Sequence, residues 1–221
     1  MAVKSKNRKQ KTENRKPEIR FLYDMKKVLY DQKWVRKAPN FPVYYMYRGV
    51  RKKGDLRYDI TIIPPRMLGK EFVRTKGNRN WKKFSELYTV IQGKAIFLMQ
   101  KMQGKILKDV MVVKAKKGDW IIIPPKYYVI TINPLKKSLK IGNWVSEKNK
   151  NIYKELEKMG GASYYYTKFG WVRNKNYKKV PKLRFEKPLN PVRKTKVLKA
   201  IEFLKFSNGV KKMPKDLGFL K

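Results

Sequence analysis

From residue 43 to residue 145 the chain reads as short strand-like runs separated by turn residues. The runs are "VYYMYRGV" (43–50), "LRYDITIIPP" (56–65), "KEFVRT" (70–75), "ELYTVIQGKAIFLMQ" (86–100), "KDVMVVKA" (108–115), "GDWIIIPP" (118–125), "YYVITIN" (127–133) and "LKIGNWV" (139–145). All are rich in β-branched and aromatic side chains, which suit a pleated, half-buried surface. Gly93, Gly104 and Gly118–Asp119 mark turns. Many short strands at regular spacing predict an antiparallel barrel or sandwich. Helical periodicity is limited to two places. Residues 151–159, "NIYKELEKM", stop at Gly160–Gly161, a C-cap signal. Residues 191–206 open with Asn190 and Pro191 as N-cap and first helical residue, and carry an apolar stripe of Val197, Leu198, Ile201 and Leu204.

The chain has 221 residues, of which 42% are hydrophobic and 13% aromatic, too apolar for a wholly disordered basic protein. Lysine and arginine number 57 against 16 acids, a net charge of +41. A free globule of that charge repels itself, so a polyanionic partner is expected. No apolar run approaches the ~20 residues of a membrane span, and the N-terminus lacks the apolar segment of a signal peptide. With no cysteine and no histidine, disulfides and thiolate or imidazole metal sites are excluded. The expected compartment is the cytoplasm.

The charge divides the chain into three expected parts. Residues 1–18 carry seven basic residues and two acids and read as a flexible basic arm. Residues 19–170 form the barrel. Residues 171–221 carry 16 basic residues and three acids and read as a basic extension containing the 191–206 helix. Basic residues interleave with aromatics in "NRNWKKF" (78–84) and "YYYTKFGWVRNKNYKK" (164–179), a pattern suited to stacking on bases and contacting phosphates. The candidate nucleic-acid contacts are Lys4, Lys6, Arg8, Lys9, Lys11, Arg15 and Lys16 in the arm. In the barrel they are Arg79, Trp81, Lys82, Lys83 and Lys168. In the extension they are Arg173, Lys175, Tyr177, Lys178, Lys179, Lys182, Arg184, Arg193, Lys194 and Lys196.

The segments "KGDLRYDITIIPP", "LGKEFVRTKGNRN", "ELYTVIQGKAIFLMQ", "KKGDWIIIPPKYYVITIN" and "NIYKELEKMGG" resemble the archaeal-type phosphoglucose isomerases, which are cupins. The likeness runs from about Ile19 to about Gly161. It implies a mainly β fold, a jelly-roll-like double-stranded β-barrel with a central cleft. It also implies a metal held by a His-x-His pair after Thr-Lys-Gly, a following Glu and a later His. In this sequence those positions are Asn78, Asn80, Glu86 and Val129. The family's sugar phosphate binds near the Thr-Lys-Gly turn, here Thr75, Lys76 and Gly77.

A transition-metal site needs imidazole nitrogens or thiolates as its tight donors. With three of the four ligand positions changed, the expectation is a chain with no metal, no cofactor and no catalysis. The charge then predicts a ribosomal or ribosome-associated protein that binds rRNA and neighbouring ribosomal proteins through a basic cupin core and tails. A DNA-binding or chromatin protein is the alternative, and a residual isomerase or sugar-phosphate sensor a lesser one, with Glu86 as a buried base of raised pKa. Dimerisation is expected to be weakened by the charge.

Overall fold

The computed structural model describes residues 16–82, 84–104 and 106–189. The helix expected over 191–206 lies outside them, as do most of the arm and Lys83. The elements in order are β1 (Glu18–Phe21), α1 (Leu22–Met25), a 3-10 turn (Lys26–Val28), α2 (Gln32–Lys37), β2 (Pro42–Lys53), β3 (Leu56–Ile63), β4 (Met67–Leu68), β5 (Glu71–Phe72) and β6 (Arg79–Asn80). There follow β7 (Glu86–Gln92), β8 (Lys94–Gln103), β9 (Ile106–Lys116), β10 (Trp120–Ile123), β11 (Tyr127–Ile132), β12 (Leu139–Ser146) and β13 (Asn151–Ile152). The last are α3 (Lys154–Lys158), β14 (Tyr164–Thr167), β15 (Gly170–Arg173) and β16 (Arg184–Glu186).

Two sheets make the barrel. One has the order β1-β2-β3-β12-β7-β10, the other β11-β8-β9-β16. The run 86–100 breaks at Gly93, whose φ of 87° is open to few other residues, and its halves enter different sheets. The sheets meet through their apolar faces. Tyr88 of β7 lies edge-on to Phe97 of β8 with ring centroids 5.5 Å apart. Phe97, Leu98, Met99, Val110, Val112, Ile130 and Leu139 are at most 1% exposed around them. This is the jelly-roll-like double-stranded barrel that the resemblance implies, where the strand pattern left barrel and sandwich open.

Two local expectations are corrected. In the run 70–75 only Glu71–Phe72 is a strand, and Arg74 makes a single bridge to Ile132. Its side chain forms a buried ion pair with Glu71. The helix expected from 151 starts at Lys154, because residues 151–152 pair with β6. The residues between 22 and 37 form helical turns that the strand pattern did not announce. The Asp31 carboxylate caps α2 by accepting from the Trp34 amide at 3.1 Å. The fold also continues past residue 170. Strand β16 runs parallel to β9, and Leu189 bridges to Trp120.

Candidate active site

Alternation along the strands places polar side chains on the inward face beside the core. On β3 these are Arg57, Asp59 and Thr61, at every second residue. Glu86 and Tyr88 come from β7, Asn143 from β12, and Arg48 from β2. With Tyr44, Thr75, Asn78, Val129, Thr131, Asn149, Asn151 and Tyr153, all but Asp59 of these line a cleft between the sheets. One wall is the segment 149–153. It is held to the strand opposite by Asn78 Nδ2 donating to Asn151 Oδ1 (3.1 Å) and by the pairing of β13 with β6.

Glu86 is 4% exposed. Its Oε2 accepts from Asn143 Nδ2 at 2.8 Å. Burial pushes its carboxyl up to about 7, against the pull of the Tyr88 hydrogen bond and the Arg48 charge. The carboxyl is therefore close to half-ionised at neutral pH. Tyr88 is raised well above the ordinary phenol range by burial and by the adjacent Glu86. Asp59 is wholly buried. It accepts from Gly49 N (2.7 Å), Arg48 Nη1 (3.0 Å) and Arg57 Nε (3.1 and 3.2 Å to its two oxygens). The Asn149 Oδ1 is buried with no partner among the described residues, an acceptor awaiting a donor at the cleft wall.

The Thr75–Gly77 turn is tightly built. Thr75 Oγ1 accepts from Thr131 N at 3.0 Å, and Lys76 N donates to Tyr44 Oη at 3.3 Å. The Lys76 ammonium is engaged by Glu157 at 2.6 Å. Gly77 has φ 87°, and a Cβ there would lie 2.7 Å from Ile130 Cγ1.

Three of the four ligand-derived positions, Asn78, Glu86 and Val129, line the cleft, but their chemistry does not fit a transition metal. Val129 offers no donor. Asn80 donates its Nδ2 to Phe84 O at 2.9 Å and is not part of the cleft lining. Asn78 is tied to Asn151. One carboxylate and amide oxygens lack the imidazole or thiolate donors such a site needs. Among the described residues no group of three or more His, Cys, Asp or Glu is placed to hold a metal ion.

The candidate nucleic-acid residues fall into several groups. Lys4, Lys6, Arg8, Lys9, Lys11, Arg15, Lys83, Arg193, Lys194 and Lys196 lie outside the described residues. Tyr177 is only 3% exposed; its hydroxyl donates to Gly161 O (2.9 Å) and accepts from Gln100 Nε2 (3.0 Å), so it is core and cannot stack on a base. Arg79 is bound to Tyr128 Oη and Glu155. Arg184 is bound to Asp109 and Glu186. Trp81 is 44% exposed between the ammonium groups of Lys82 and Lys150. Lys16, Lys168, Arg173, Lys175, Lys178, Lys179 and Lys182 are exposed and spread along the chain.

Sequence reasoning missed Arg48, Arg57, Asp59, Asn143, Asn149 and Asn151. The available signal was polarity at inward positions, as in Arg57–Asp59–Thr61 of an otherwise apolar strand. The β2–β3 register that gives those positions meaning is non-local.

The family model described as Glucose-6-phosphate isomerase (GPI) matches residues 20–182. The glucose-6-phosphate isomerase of Thermococcus litoralis is 31% identical over 127 residues, 55% of this chain and 65% of that protein. That of Pyrococcus furiosus is 32% identical over 129 residues, with the same two shares. The matched stretch thus spans less than two thirds of those relatives. Among solved structures, an oxalate oxidase in complex with the substrate analogue glycolate aligns over 50% of this chain and 55% of that one, at 9% identity and a TM-score of 0.42.

These matches overturn the expectation of a non-catalytic ribosomal or other nucleic-acid-binding protein. The relatives carry an enzyme's name, and nothing among them points to RNA. Charge composition misled because net charge reports on solubility and association and carries no information about a site. Among the described residues, no helix is long and apolar enough to cross a membrane.

Proposed function

Since the chain belongs to the glucose-6-phosphate isomerase family, we propose that its cleft binds a phosphorylated sugar and interconverts aldose and ketose without a transition metal, with Glu86 as the proton-transferring base. The observation that carries this reading is the placement of Glu86. It is a buried carboxyl, titrating at about 7, oriented by Asn143 at the wall of the cleft. A general base is most effective when its pKa lies near the working pH.

In this reading Glu86 takes the C2 proton of an open-chain aldose. The C–H electrons form the C1–C2 double bond, and O1 becomes an oxyanion. The O2 proton passes to O1, Glu86 returns its proton to C1, and O2 becomes the ketose carbonyl. Thr75, which lines the cleft, supplies the phosphate end, and the unpartnered Asn149 Oδ1 accepts from a sugar hydroxyl. Val129 closes the position of a lost ligand with an apolar surface that helps exclude water.

The test is interconversion of glucose 6-phosphate and fructose 6-phosphate by metal-free protein in the presence of a chelator. The reading expects turnover that Glu86→Gln reduces by roughly 10²–10⁴-fold, the usual contribution of general acid–base catalysis. Exchange of the C2 proton with solvent deuterium is a second readout. No turnover and no exchange in the unsubstituted protein would sink it.

A further inference from the structure

Removing a carbon-bound proton leaves an enediolate, a full negative charge on the sugar's oxygens. A site that performs this step needs preorganised positive charge or donors aimed at those oxygens. The donor set around Asn78, Asn80 and Glu86 does not supply a metal for it. Among the cleft-lining residues the only cations are Arg48 and Arg57. Of the cations beside the cleft, the Lys76 ammonium is engaged by Glu157 and the Arg20 guanidinium by Glu18.

We infer, resting on the function proposed above, that the two guanidiniums seated on buried Asp59 are the charge-holding pole of the cleft, and that Arg57 presents its terminal nitrogens to the oxyanion formed by proton removal. Both cations converge on a carboxylate that is 0% exposed and that also accepts from the Gly49 amide, so the anchor cannot swing. Arg57 spends its Nε on Asp59, at 3.1 and 3.2 Å from the two oxygens. Among the described residues its two terminal nitrogens have no hydrogen-bond partner, and its side chain is 23% exposed where it lines the cleft. This is a fork held at its stem with its tines open, the geometry that suits a planar or paired-oxygen anion.

The charge balance agrees. Asp59 neutralises one of the two guanidiniums. Glu18 pairs with Arg48 at 3.3 Å but is 52% exposed, where solvent screens it. On the same sheet β12 lies between β3 and β7 and sets Asn143 beside both Asp59 and Tyr88, so the base and the cationic pole face the same space. Arg57 leans along β3 towards Asp59 and Thr61. Its Cα lies about 13 Å from that of Thr61, at ~3.3 Å per residue along the strand.

The experiment is calorimetric titration of the full chain with glucose 6-phosphate and with 6-phosphogluconate. The second ligand keeps the phosphate and places a carboxylate at C1, where the oxyanion develops. The expected result is tighter binding of 6-phosphogluconate by ~10²-fold or more, as for other mimics of a charged transition state. Arg57→Gln should remove most of that preference, and Arg57→Lys, which keeps charge without the fork, should retain part of it. Urea midpoints of both variants check that they fold, and if Arg57→Gln does not, the ratio in Arg57→Lys decides. Equal affinity for the two ligands in the unsubstituted protein, or an unchanged ratio in the variants, would overturn the inference while leaving the proposed function standing. Failure of glucose 6-phosphate to bind at all would overturn both.

Discussion

Arg74 and Glu71, three residues apart, form an ion pair of 2.9 Å whose side chains are 4% and 0% exposed. The pair ties three parts of the molecule together. Glu71 Oε1 accepts from the Tyr30 amide at 2.7 Å. Arg74 Nη1 donates to Thr75 O at 3.0 Å, and its Nη2 donates to Val28 O. The helical segment before β2 is thereby fastened to the turn that opens the cleft. Removing one partner leaves the other charge buried and uncompensated, which costs about 3–5 kcal/mol. Arg74→Met should lose stability on that scale in urea unfolding. The double variant Arg74→Met/Glu71→Gln should recover part of the loss, because no buried charge is then left alone.

Glu86 makes stability depend on pH in a definite direction. Its folded pKa of about 7 lies above the 4.5 of an exposed glutamate. Between those values the folded state holds a proton that the unfolded state has released, so stability falls as pH rises through that window. Above it the cost of the buried carboxylate is complete, roughly 3 kcal/mol at 1.36 kcal/mol per pKa unit. Below the lower value the effect is absent. Glu86→Gln should therefore raise the melting temperature at alkaline pH and leave it nearly unchanged at acid pH. Thermal scans across the range check it.

The same ionisation sets the expected activity profile. The base must be unprotonated to begin the reaction, so kcat/KM should climb through about pH 7 and level off above it. Initial rates across a buffered pH series measure this, and a profile flat from acid to alkaline pH would remove Glu86 from the role.

Gly77 holds the phosphate-end turn by having no side chain. At φ 87° an added Cβ would meet Ile130 Cγ1 at 2.7 Å and Leu156 Cδ1 at 2.9 Å. Leu156 is fully buried and anchors α3. Gly77→Ala should cost about 1–3 kcal/mol through backbone strain and overpacking. It should also weaken phosphosugar binding, since Thr75 sits two residues away.

Chelation should be without effect. Dialysis against EDTA is expected to change neither the melting temperature nor any turnover, because Asn78, Asn80, Glu86 and Val129 lack the donors for a tightly held transition metal. Elemental analysis of the protein before dialysis gives the matching measurement, with a sub-stoichiometric metal content expected.

The sequence by itself determined the succession of strands, the break at Gly93 and the loss of imidazole at three positions. Each is local: a strand's side-chain chemistry, a glycine's φ and a ligand's element are all written in neighbouring residues. Tertiary structure alone decided the rest. Arg57, Asp59 and Asn143 become one site with Glu86 only because β3, β12 and β7 lie side by side in register. Tyr177 reads as an exposed ring among lysines, yet its hydroxyl bonds to Gly161 and Gln100 place it in the core. Glu86 reads from the sequence either as a retained strand carboxylate or as a buried base of raised pKa, and it is burial in the fold that raises its pKa towards neutrality. Burial and convergence are sums over distant neighbours, and no window of the sequence contains them.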